Sequence, residues 1–174
     1  RVNILQDTDS LKRNLNIYVL SENSVGNFTV PNATLKENLK TWLSRYRMIN
    51  DTVDLLDGSI INYGINFEVL GDIDINKYDL LQSCVEEIRS KLLNVKKGIG
   101  EPIYLSDIYR VLNSVPGVID AMNVEIVNKY GGLYSDYRHD MLANLSGDGR
   151  YISIPDSAAA EVLLPEQDIL GVVK

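Results

Sequence analysis

The most regular pattern in the sequence is the alternation of apolar and polar residues from Ser59 to Leu70. The apolar residues of this segment are Ile61, Tyr63, Ile65, Phe67 and Val69, and the residues between them are Asn62, Gly64, Asn66 and Glu68. Successive side chains of a β-strand point to opposite faces of the sheet, so the alternation predicts a long strand with one buried and one hydrated face. The pattern favours an antiparallel sheet that is covered on a single side.

A strand and a helix precede this segment, and a tight turn leads into it. Asn14–Leu20 alternates in the same way and predicts a half-buried strand. Thr34 and Glu37 have the spacing of a capping box, which begins a helix. The helix is predicted to bury one apolar stripe, made of Leu35, Leu39, Trp42, Leu43 and Tyr46. Thr52–Leu56 favours a short strand, and Asp57-Gly58 directly after it is typical of a hairpin turn.

Two helices and a strand follow the long strand. Asn76 is suited to cap the first helix, whose apolar face is formed by Leu80, Leu81, Cys84, Val85, Ile88, Leu92 and Leu93. Leu105–Asn113 predicts a short helix, which Pro116-Gly117 terminates. Val118–Val127 predicts a further strand, with one apolar face made of Met122, Val124 and Ile126.

The predicted elements occur in the order β-α-β-β-α-(α)-β, which is the order of ferredoxin-like folds. We therefore predict an α+β fold, with a ferredoxin-like split β-α-β-β-α-β antiparallel sheet and helices on one face. Residues 14–128 are assigned to this domain, residues 1–13 to a lead-in from a missing upstream part, and residues 129–174 to a loop-rich C-terminal extension with short strands. Arg150–Lys174 is interpreted as an extended arm, which either returns to its own sheet or lies on a neighbour.

Charge and cysteine content limit the classes of partner. The 174 residues include 17 Lys and Arg against 24 Asp and Glu, a net charge of −7. Phosphate binding needs a surplus of cations on one face, so we expect no nucleic-acid partner. No apolar run approaches the roughly 20 residues of a membrane-spanning helix, so no membrane association is expected. The single cysteine, Cys84, excludes an internal disulfide.

The sequence contains one histidine, His139, which excludes a metal site or a catalytic pair built from two histidines. Asp136 and Asp140 lie near it in sequence and are the acids that a catalytic triad could use. No Gly-x-Ser-x-Gly elbow accompanies them. In a polar, tyrosine-rich loop, a surface or hydrogen-bonding role for His139 is the favoured interpretation.

Other residues with chemical potential have simpler explanations. Cys84 lies on the apolar stripe of a predicted helix, where a thiol is an inert, small hydrophobic group. Asp72-Ile73-Asp74-Ile75-Asn76 begins like a calcium loop, but Lys77 and Ser83 occupy the positions that need Gly and Glu. A polar turn followed by a helix cap explains it better. Gly98-Ile99-Gly100 lacks the third glycine of a dinucleotide site. We therefore predict no catalytic, cofactor-binding or metal-binding residues, and no enzyme.

Three segments, in order, resemble the baseplate wedge subunits of contractile-tailed bacteriophages, within the wider baseplate-J-like group. The first is LKENLKTWLSRYRMINDTVDLLDGSIINYGINFEVL, residues 35–70. The second is residues 101–141, in which a short helix leads through Val-Pro-Gly-Val into a strand. The third, RYISIPDSAAAEVLLPEQDILGVV at residues 150–173, is similar to the far C-terminus of the narrower wedge family. The long N-terminal portion of a full-length family member is lacking.

This resemblance implies a structural subunit of the tail baseplate in the virion, assembled in the host cytoplasm. Such a subunit forms a homodimer and joins other baseplate wedge proteins, which close into a ring around the tail hub. No cofactor and no small-molecule ligand are expected from the resemblance, and no site residues are transferred. The main alternative is a small-molecule-binding regulatory domain, because ferredoxin-like sheets commonly dimerise around ligands. A second alternative is an enzyme that uses His139 with Asp136 or Asp140.

Overall fold

The computed structural model describes residues 1–7, 14–46, 52–94 and 97–174. The elements of the first part are β1 (Val2–Gln6), β2 (Asn14–Val19), β3 (Ser21–Glu22), β4 (Phe28–Thr29), α1 (Ala33–Ser44), β5 (Thr52–Asp57) and β6 (Ser59–Gly71). Those of the second part are α2 (Lys77–Ile88), a π-helical turn (Arg89–Leu93), β7 (Ile103–Tyr104), α3 (Leu105–Asn113), β8 (Val118–Lys129), β9 (Tyr151–Ile152), β10 (Ala158–Glu161), α4 (Pro165–Asp168) and β11 (Ile169–Val173). These elements confirm the α+β class.

Strand β6 is the centre of the main sheet, and its predicted apolar face is buried. Ile61, Tyr63, Ile65, Phe67 and Val69 are all at most 5% exposed. On one side β6 pairs antiparallel with β8. On the other side it pairs in parallel with β10 near its start and with β11 near its end. The expectation of a purely antiparallel sheet is therefore wrong, because the chain returns twice along β6 in the same direction.

The first strands of the chain form a separate three-stranded sheet, in the order β1-β2-β5. Strand β2 pairs in parallel with β5, and β1 pairs antiparallel with β2. The ferredoxin-like order is not confirmed, because it requires β2 to join the sheet that contains β6 and β8. The predicted lead-in contributes β1 to this sheet, while its residues 8–13 lie outside the described residues.

The predicted hairpin at Asp57-Gly58 does not form, and the chain crosses there from the small sheet to the main sheet. A tight Asp-Gly turn needs positive φ angles, but Gly58 is not among the positive-φ glycines. Its N–H donates to the Val19 carbonyl at 3.0 Å, which keeps the chain beside β2. A Cβ at Gly58 would lie 2.8 Å from Leu20 Cγ. The glycine therefore serves close packing rather than a turn.

Helices α2 and α3 cover the apolar face of the main sheet, as their sequence patterns predict. Asn76 caps α2 by accepting the Tyr78 N–H at 3.0 Å. α3 has the predicted bounds and buries Leu105, Ile108, Val111 and Leu112. Together with β6 and the C-terminal strands, the two helices enclose one large hydrophobic core.

Strand β8 departs from simple alternation at Met122. The register along β6 shifts between Glu68, which opposes Asn123, and Val69, which opposes Ala121. Met122 therefore has no partner across the ladder, as in a β-bulge. It is 52% exposed, whereas Ala121 is 7% exposed. The prediction that Met122 faces the core is wrong, because an inserted residue reverses the alternation beyond it.

Helix α1 differs from its prediction at its start and in its burial. Its N-cap is Asn32, whose Oδ1 accepts the Leu35 N–H at 2.8 Å, so the predicted Thr34–Glu37 capping box does not begin the helix. No residue of α1 is buried. The predicted buried stripe is wrong for this single chain, since Trp42 is 55% and Tyr46 72% exposed.

The C-terminal segment returns to its own sheet, which is one of the two alternatives for the predicted arm. Strands β10 and β11 both pair with β6. Ala158, Ala160 and Ile169 belong to the main core. The segment therefore adds the strands β10 and β11 to the main sheet.

Candidate assembly surface

His139 is buried, at 7% exposure, and holds a loop in place. Its Nε2 lies 2.9 Å from the Ser153 carbonyl oxygen. A carbonyl oxygen can only accept, so Nε2 carries the proton. The His139 backbone N–H donates to Asn128 Oδ1 at 3.2 Å. These contacts tie the loop to β8 and to the C-terminal segment.

The two acids of the hypothetical triad do not join His139. Asp140 Oδ1 accepts the N–H groups of Leu142 and Ala143 at 3.1 and 3.0 Å, which caps the next turn. Within the described part of the chain, no hydrogen bond links the His139 ring to Asp136 or Asp140. The ring nitrogen that bears the proton is committed to a backbone carbonyl. This arrangement has the form of a structural hydrogen bond, and it gives no support to an enzyme based on His139.

Cys84 and the Asp72–Asn76 segment behave as their patterns indicate. Cys84 is fully buried, and this burial raises the pKa of its thiol to about 11. Asp72 Oδ1 accepts the Asp74 N–H at 3.3 Å in a local turn before the Asn76 cap. Over the described ranges, no three His, Cys, Asp or Glu side chains come together as metal ligands.

The most buried carboxylate, Asp168, gave no signal in the sequence. It is 1% exposed and accepts the Tyr134 hydroxyl at 2.7 Å and the Leu164 N–H at 3.0 Å. Lys129 Nζ lies 3.7 Å from the same carboxylate. The hydrogen bond to Asp168 raises the pKa of Tyr134. Asp168 thereby ties its own segment to the end of β8 and to the loop that carries Tyr134, which is a structural task.

Asn62 fixes the same loop from the other face of β6. It is 2% exposed, its Oδ1 accepts the Ser135 N–H at 2.7 Å, and its Nδ2 donates to Glu161 Oε1 at 3.3 Å. Half of the face predicted to be hydrated is therefore covered by residues of the C-terminal extension. Simple alternation could not show this, since the covering residues are 73 and 99 positions away.

An apolar surface remains uncovered on helix α1. Leu35, Trp42 and Tyr46 are 41%, 55% and 72% exposed. They lie on one side of the helix, because residues separated by seven and four positions return to the same face. The Trp42 and Tyr46 rings are in contact, with centroids 4.8 Å apart. Large exposed aromatic residues that contact each other form a patch rather than scattered apolar positions.

The small sheet presents a second apolar strip beside this helix. Val2 and Ile4 oppose Val19 and Ile17 in the ladder, so the four side chains share one face of the sheet. Val19 and Ile17 are buried, whereas Val2 and Ile4 are 55% and 56% exposed. The residues that cover Val19 and Ile17 on this face therefore do not extend over the edge strand β1.

Helix α1 provides that cover on the β5 side. Lys36 Nζ donates to Asp57 Oδ2 at 2.9 Å, and Leu43 lines a small cavity with Val53. Lys36 and Leu43 each follow a residue of the exposed stripe by one position, a rotation of about 100° around the helix. The side chains of Leu35, Trp42 and Tyr46 therefore point along the surface of the small sheet rather than onto it.

The usual hand of the crossover gives the expected direction of this stripe. Strand–helix–parallel strand units are right-handed in about 98% of cases, and in a right-handed β2-α1-β5 unit the side of Leu35, Trp42 and Tyr46 is turned toward β1. We infer that the helix stripe and the β1 strip lie next to each other as the wall and floor of one groove. We call it the α1–β1 groove; it consists of Val2, Ile4, Leu35, Trp42 and Tyr46.

The main sheet also has an uncovered area on the face opposite α2 and α3. Leu170 and Val172 are 55% and 54% exposed there, beside Glu68 and Glu125 in a shallow cavity of about 300 Å³. Glu68 is paired with Lys174 at 2.6 Å. We call this area the outer trough; it consists of Asn66, Glu68, Asn123, Glu125, Leu170 and Val172. It combines exposed aliphatic side chains with an excess of carboxylates.

Comparison with known proteins finds matches among solved structures. No family model matches the chain, and no curated protein matches it. Among solved structures, the chain is similar to a chain in the cryo-electron microscopy structure of the anti-feeding prophage baseplate, symmetrised six-fold, with a TM-score of 0.39 and 12% sequence identity. The match covers 99% of this chain and 38% of that one. This chain therefore spans less than two-fifths of that protein's length.

In the described part of the chain, no helix is long and apolar enough to cross a membrane.

Proposed function

We propose that this chain is a structural, non-enzymatic module of a contractile-tail baseplate wedge, and that it forms a homodimer through the α1–β1 groove. The observation that carries the proposal is that the contacting pair Trp42–Tyr46 and the edge-strand residues Val2 and Ile4 are all more than half exposed. The baseplate assignment is supported by the three ordered segments that resemble wedge subunits. Closure of such wedges into a ring around the tail hub is part of the same proposal.

The composition of the groove favours a protein partner. Tryptophan and tyrosine are enriched among the residues that dominate binding energy at interfaces. An apolar patch of this kind is unfavourable in water unless a partner covers it. In an isolated chain, by contrast, α1 buries none of its residues. The groove therefore has the composition and the exposure of a surface that a protein partner covers.

A second copy of the chain fits the groove because the groove supplies both parts of a contact. In a two-fold interface, the same patch on each copy must complement itself. The aromatic wall of one copy can cover the aliphatic floor of the other, and the reverse contact follows by symmetry. Aromatic side chains bury about 150–250 Å² each. The five residues of the groove are 41–72% exposed, so they supply part of the roughly 800 Å² per partner of a standard interface, and residues around the groove must supply the rest.

The outer trough supports contacts with other wedge proteins. Its centre carries Glu68 and Glu125 among aliphatic side chains, within a chain of net charge −7. Complementary charge accelerates association and selects partners. The partner of this surface is therefore expected to present lysine or arginine beside apolar residues.

The proposal is tested by placing a charge in the groove. Ile4→Lys and Trp42→Lys are each expected to convert a dimer into a monomer in sedimentation velocity, because a buried unpaired ammonium opposes association. The fold should survive, since both side chains are more than half exposed. Ile73→Lys is the matched control, as Ile73 is 97% exposed outside the groove. Dimers of unchanged strength in both groove variants would contradict the assignment of this surface.

The alternative of a small-molecule-binding regulatory domain rests on a ferredoxin-like sheet that dimerises around a ligand. The described strands are divided instead between two larger sheets and two short pairs. The arrangement of the strands therefore gives that alternative no support.

A further inference from the structure

We propose that the cavity between the π-helical turn, β7 and α3 binds an apolar group that carries a carboxylate. This site is independent of the proposed assembly function, and it differs from the expectation of no small-molecule ligand. The cavity has a volume of about 280 Å³. A dry cavity of about 150 Å³ already accommodates benzene, so a molecule of about six to twelve heavy atoms fits in this one by volume.

The walls of the cavity are aliphatic and its mouth is charged. Ile65, Leu92, Ile103 and Ile108 supply apolar walls, while Lys91, Lys97, Glu101, Asp107 and Arg110 also line it. Binding sites for small molecules typically combine a mostly apolar lining with a few converging polar groups. The apolar walls would cover an alkyl or aryl body of modest size.

The π-helical turn contributes to the shape of this cavity. It continues α2 over Arg89–Leu93 with a wider backbone spacing. Leu92 lies on this turn and lines the cavity, and it also lines a smaller adjoining cavity of about 50 Å³. Insertions of this type into helices are frequent at functional sites.

Tyr63 supplies an unpartnered hydroxyl. Tyr63 is 5% exposed and lines both cavities. Among the described residues, no side-chain hydrogen bond is formed by its hydroxyl group. Burial, followed by the nearby Glu101 and Glu161 carboxylates, raises the pKa of Tyr63 well above its ordinary value. The hydroxyl therefore keeps its proton and can donate it to an acceptor in the cavity.

Lys97 supplies the positive charge. Its Nζ donates to the Pro102 carbonyl at 2.7 Å and lies 5.5 Å from the Tyr104 ring centroid. An ammonium has three donors, so two N–H groups of Lys97 are left for a ligand. In the described residues no carboxylate lies within 4.0 Å of it. Burial lowers the pKa of Lys97, with Glu101 and Asp107 opposing that effect.

The remaining charged groups of the lining are already engaged. Arg110 pairs with Asp107 at 2.8 Å, and Lys91 pairs with Glu87. Glu101 Oε2 accepts the Gly98 N–H at 2.7 Å. Glu87 balances Lys91 and Asp107 balances Arg110, so Lys97 is the lining cation that has no carboxylate within 4.0 Å among the described residues. An anionic ligand group is therefore favoured at the Lys97 ammonium.

A carboxylate with an apolar body has two sources, a free acid or the C-terminal residue of another chain. Sodium hexanoate represents the first and N-acetyl-leucine the second. Each is compared with a neutral analogue, hexan-1-ol or N-acetyl-leucinamide, and hexylamine represents the opposite charge. Dissociation constants are measured by titration calorimetry and checked by saturation-transfer NMR.

We expect saturable binding of at least one acid, with a dissociation constant at least tenfold below that of its neutral analogue. Hexylamine should bind more weakly than hexanoate. Tyr63→Phe should weaken binding of the acid about three- to tenfold, the range of one hydrogen bond. Lys97→Met should weaken it about tenfold or more. Tighter binding of hexanoate than of N-acetyl-leucine assigns the free acid, and the reverse assigns a chain terminus.

Two variants control for nonspecific effects. Tyr78→Phe makes the same chemical change at an 83% exposed tyrosine, and Lys40→Met removes a lysine on α1. Both should bind like the natural chain. Equal binding of acid and neutral analogue, unchanged binding by Tyr63→Phe and Lys97→Met, or no binding of either acid would overturn the proposal. None of these outcomes bears on dimerisation through the α1–β1 groove.

Discussion

At the scale of single residues, the buried polar groups hold distant segments together. Asp168 accepts from Tyr134 and Leu164, and Asn62 bonds both Ser135 and Glu161. A buried polar group without partners is costly, so such groups are retained only where their hydrogen bonds are satisfied. The Asn62 contacts fix the C-terminal extension on β6, and the Asp168 contacts hold that extension together.

Asp168→Ala is expected to lower the free energy of unfolding by about 2–4 kcal/mol. It removes two hydrogen bonds to a buried carboxylate and leaves the Tyr134 hydroxyl and the Leu164 N–H without that acceptor. Urea unfolding measures the change. Glu166→Ala is the control, because the Glu166 side chain is 79% exposed and its pair with Arg89 lies at the surface. A loss below about 1 kcal/mol for Asp168→Ala would show that the carboxylate is dispensable.

Cys84 makes stability depend on pH in the alkaline range. Its pKa is raised from 9.0 to about 11 in the fold, so the folded thiol holds its proton more tightly than the unfolded one. The stability from this group is complete below pH 9 and is lost as the pH rises from 9 towards 11. Urea unfolding at both ends of this range should show a smaller loss for Cys84→Ala than for the natural chain.

The same thiol has a kinetic signature. Because Cys84 is fully buried and protonated at neutral pH, it should react with Ellman's reagent only after the chain is unfolded. Rapid labelling of the native protein would mean that the core around α2 opens readily.

At the scale of elements, close packing against the main sheet makes particular glycines indispensable. A Cβ at Gly171 of β11 would lie 2.3 Å from Phe67 Cζ and 2.7 Å from Leu81 Cδ1. Gly171→Ala is therefore expected to cost about 1–3 kcal/mol through overpacking. The matched control is Gly147→Ala, where nothing lies within 4 Å of the added carbon. Equal stability of the two variants, measured by urea unfolding, would show that β11 does not pack tightly on β6.

Elements were predictable from sequence where local patterns determine them. The alternation of β6, the Asn76 cap and the bounds of α3 were all given by neighbouring residues. Met122 was misplaced because a bulge shifts the register, and alternation does not show where a residue is inserted. The pairing of β2 with β5 was missed because parallel strands are joined by a crossover rather than by a readable turn.

The candidate site was less predictable than the elements. The spacing of Leu35, Trp42 and Tyr46 showed an apolar stripe, but periodicity does not show which surface covers it. The cavity next to Tyr63 depends on Lys97, Ile103 and Ile108, which three separate segments bring together. Partners so far apart in sequence leave no local pattern.

At the scale of the whole molecule, the small sheet and the main sheet have different degrees of cover. The main sheet has α2 and α3 on its apolar face. The small sheet has one helix, which leaves Val2 and Ile4 of its edge strand uncovered. A chain that completes one core and leaves the other half-covered is suited to assembly, where a second copy supplies the missing layer.

Self-association of this chain, as we propose it, is tested by sedimentation equilibrium of the natural sequence. Measured from about 1 to 100 µM, which spans micromolar dissociation constants, the mass should rise from that of one chain to twice that value. The mass should not rise further, because a two-fold contact closes on itself. A mass of one chain at every concentration would contradict the account.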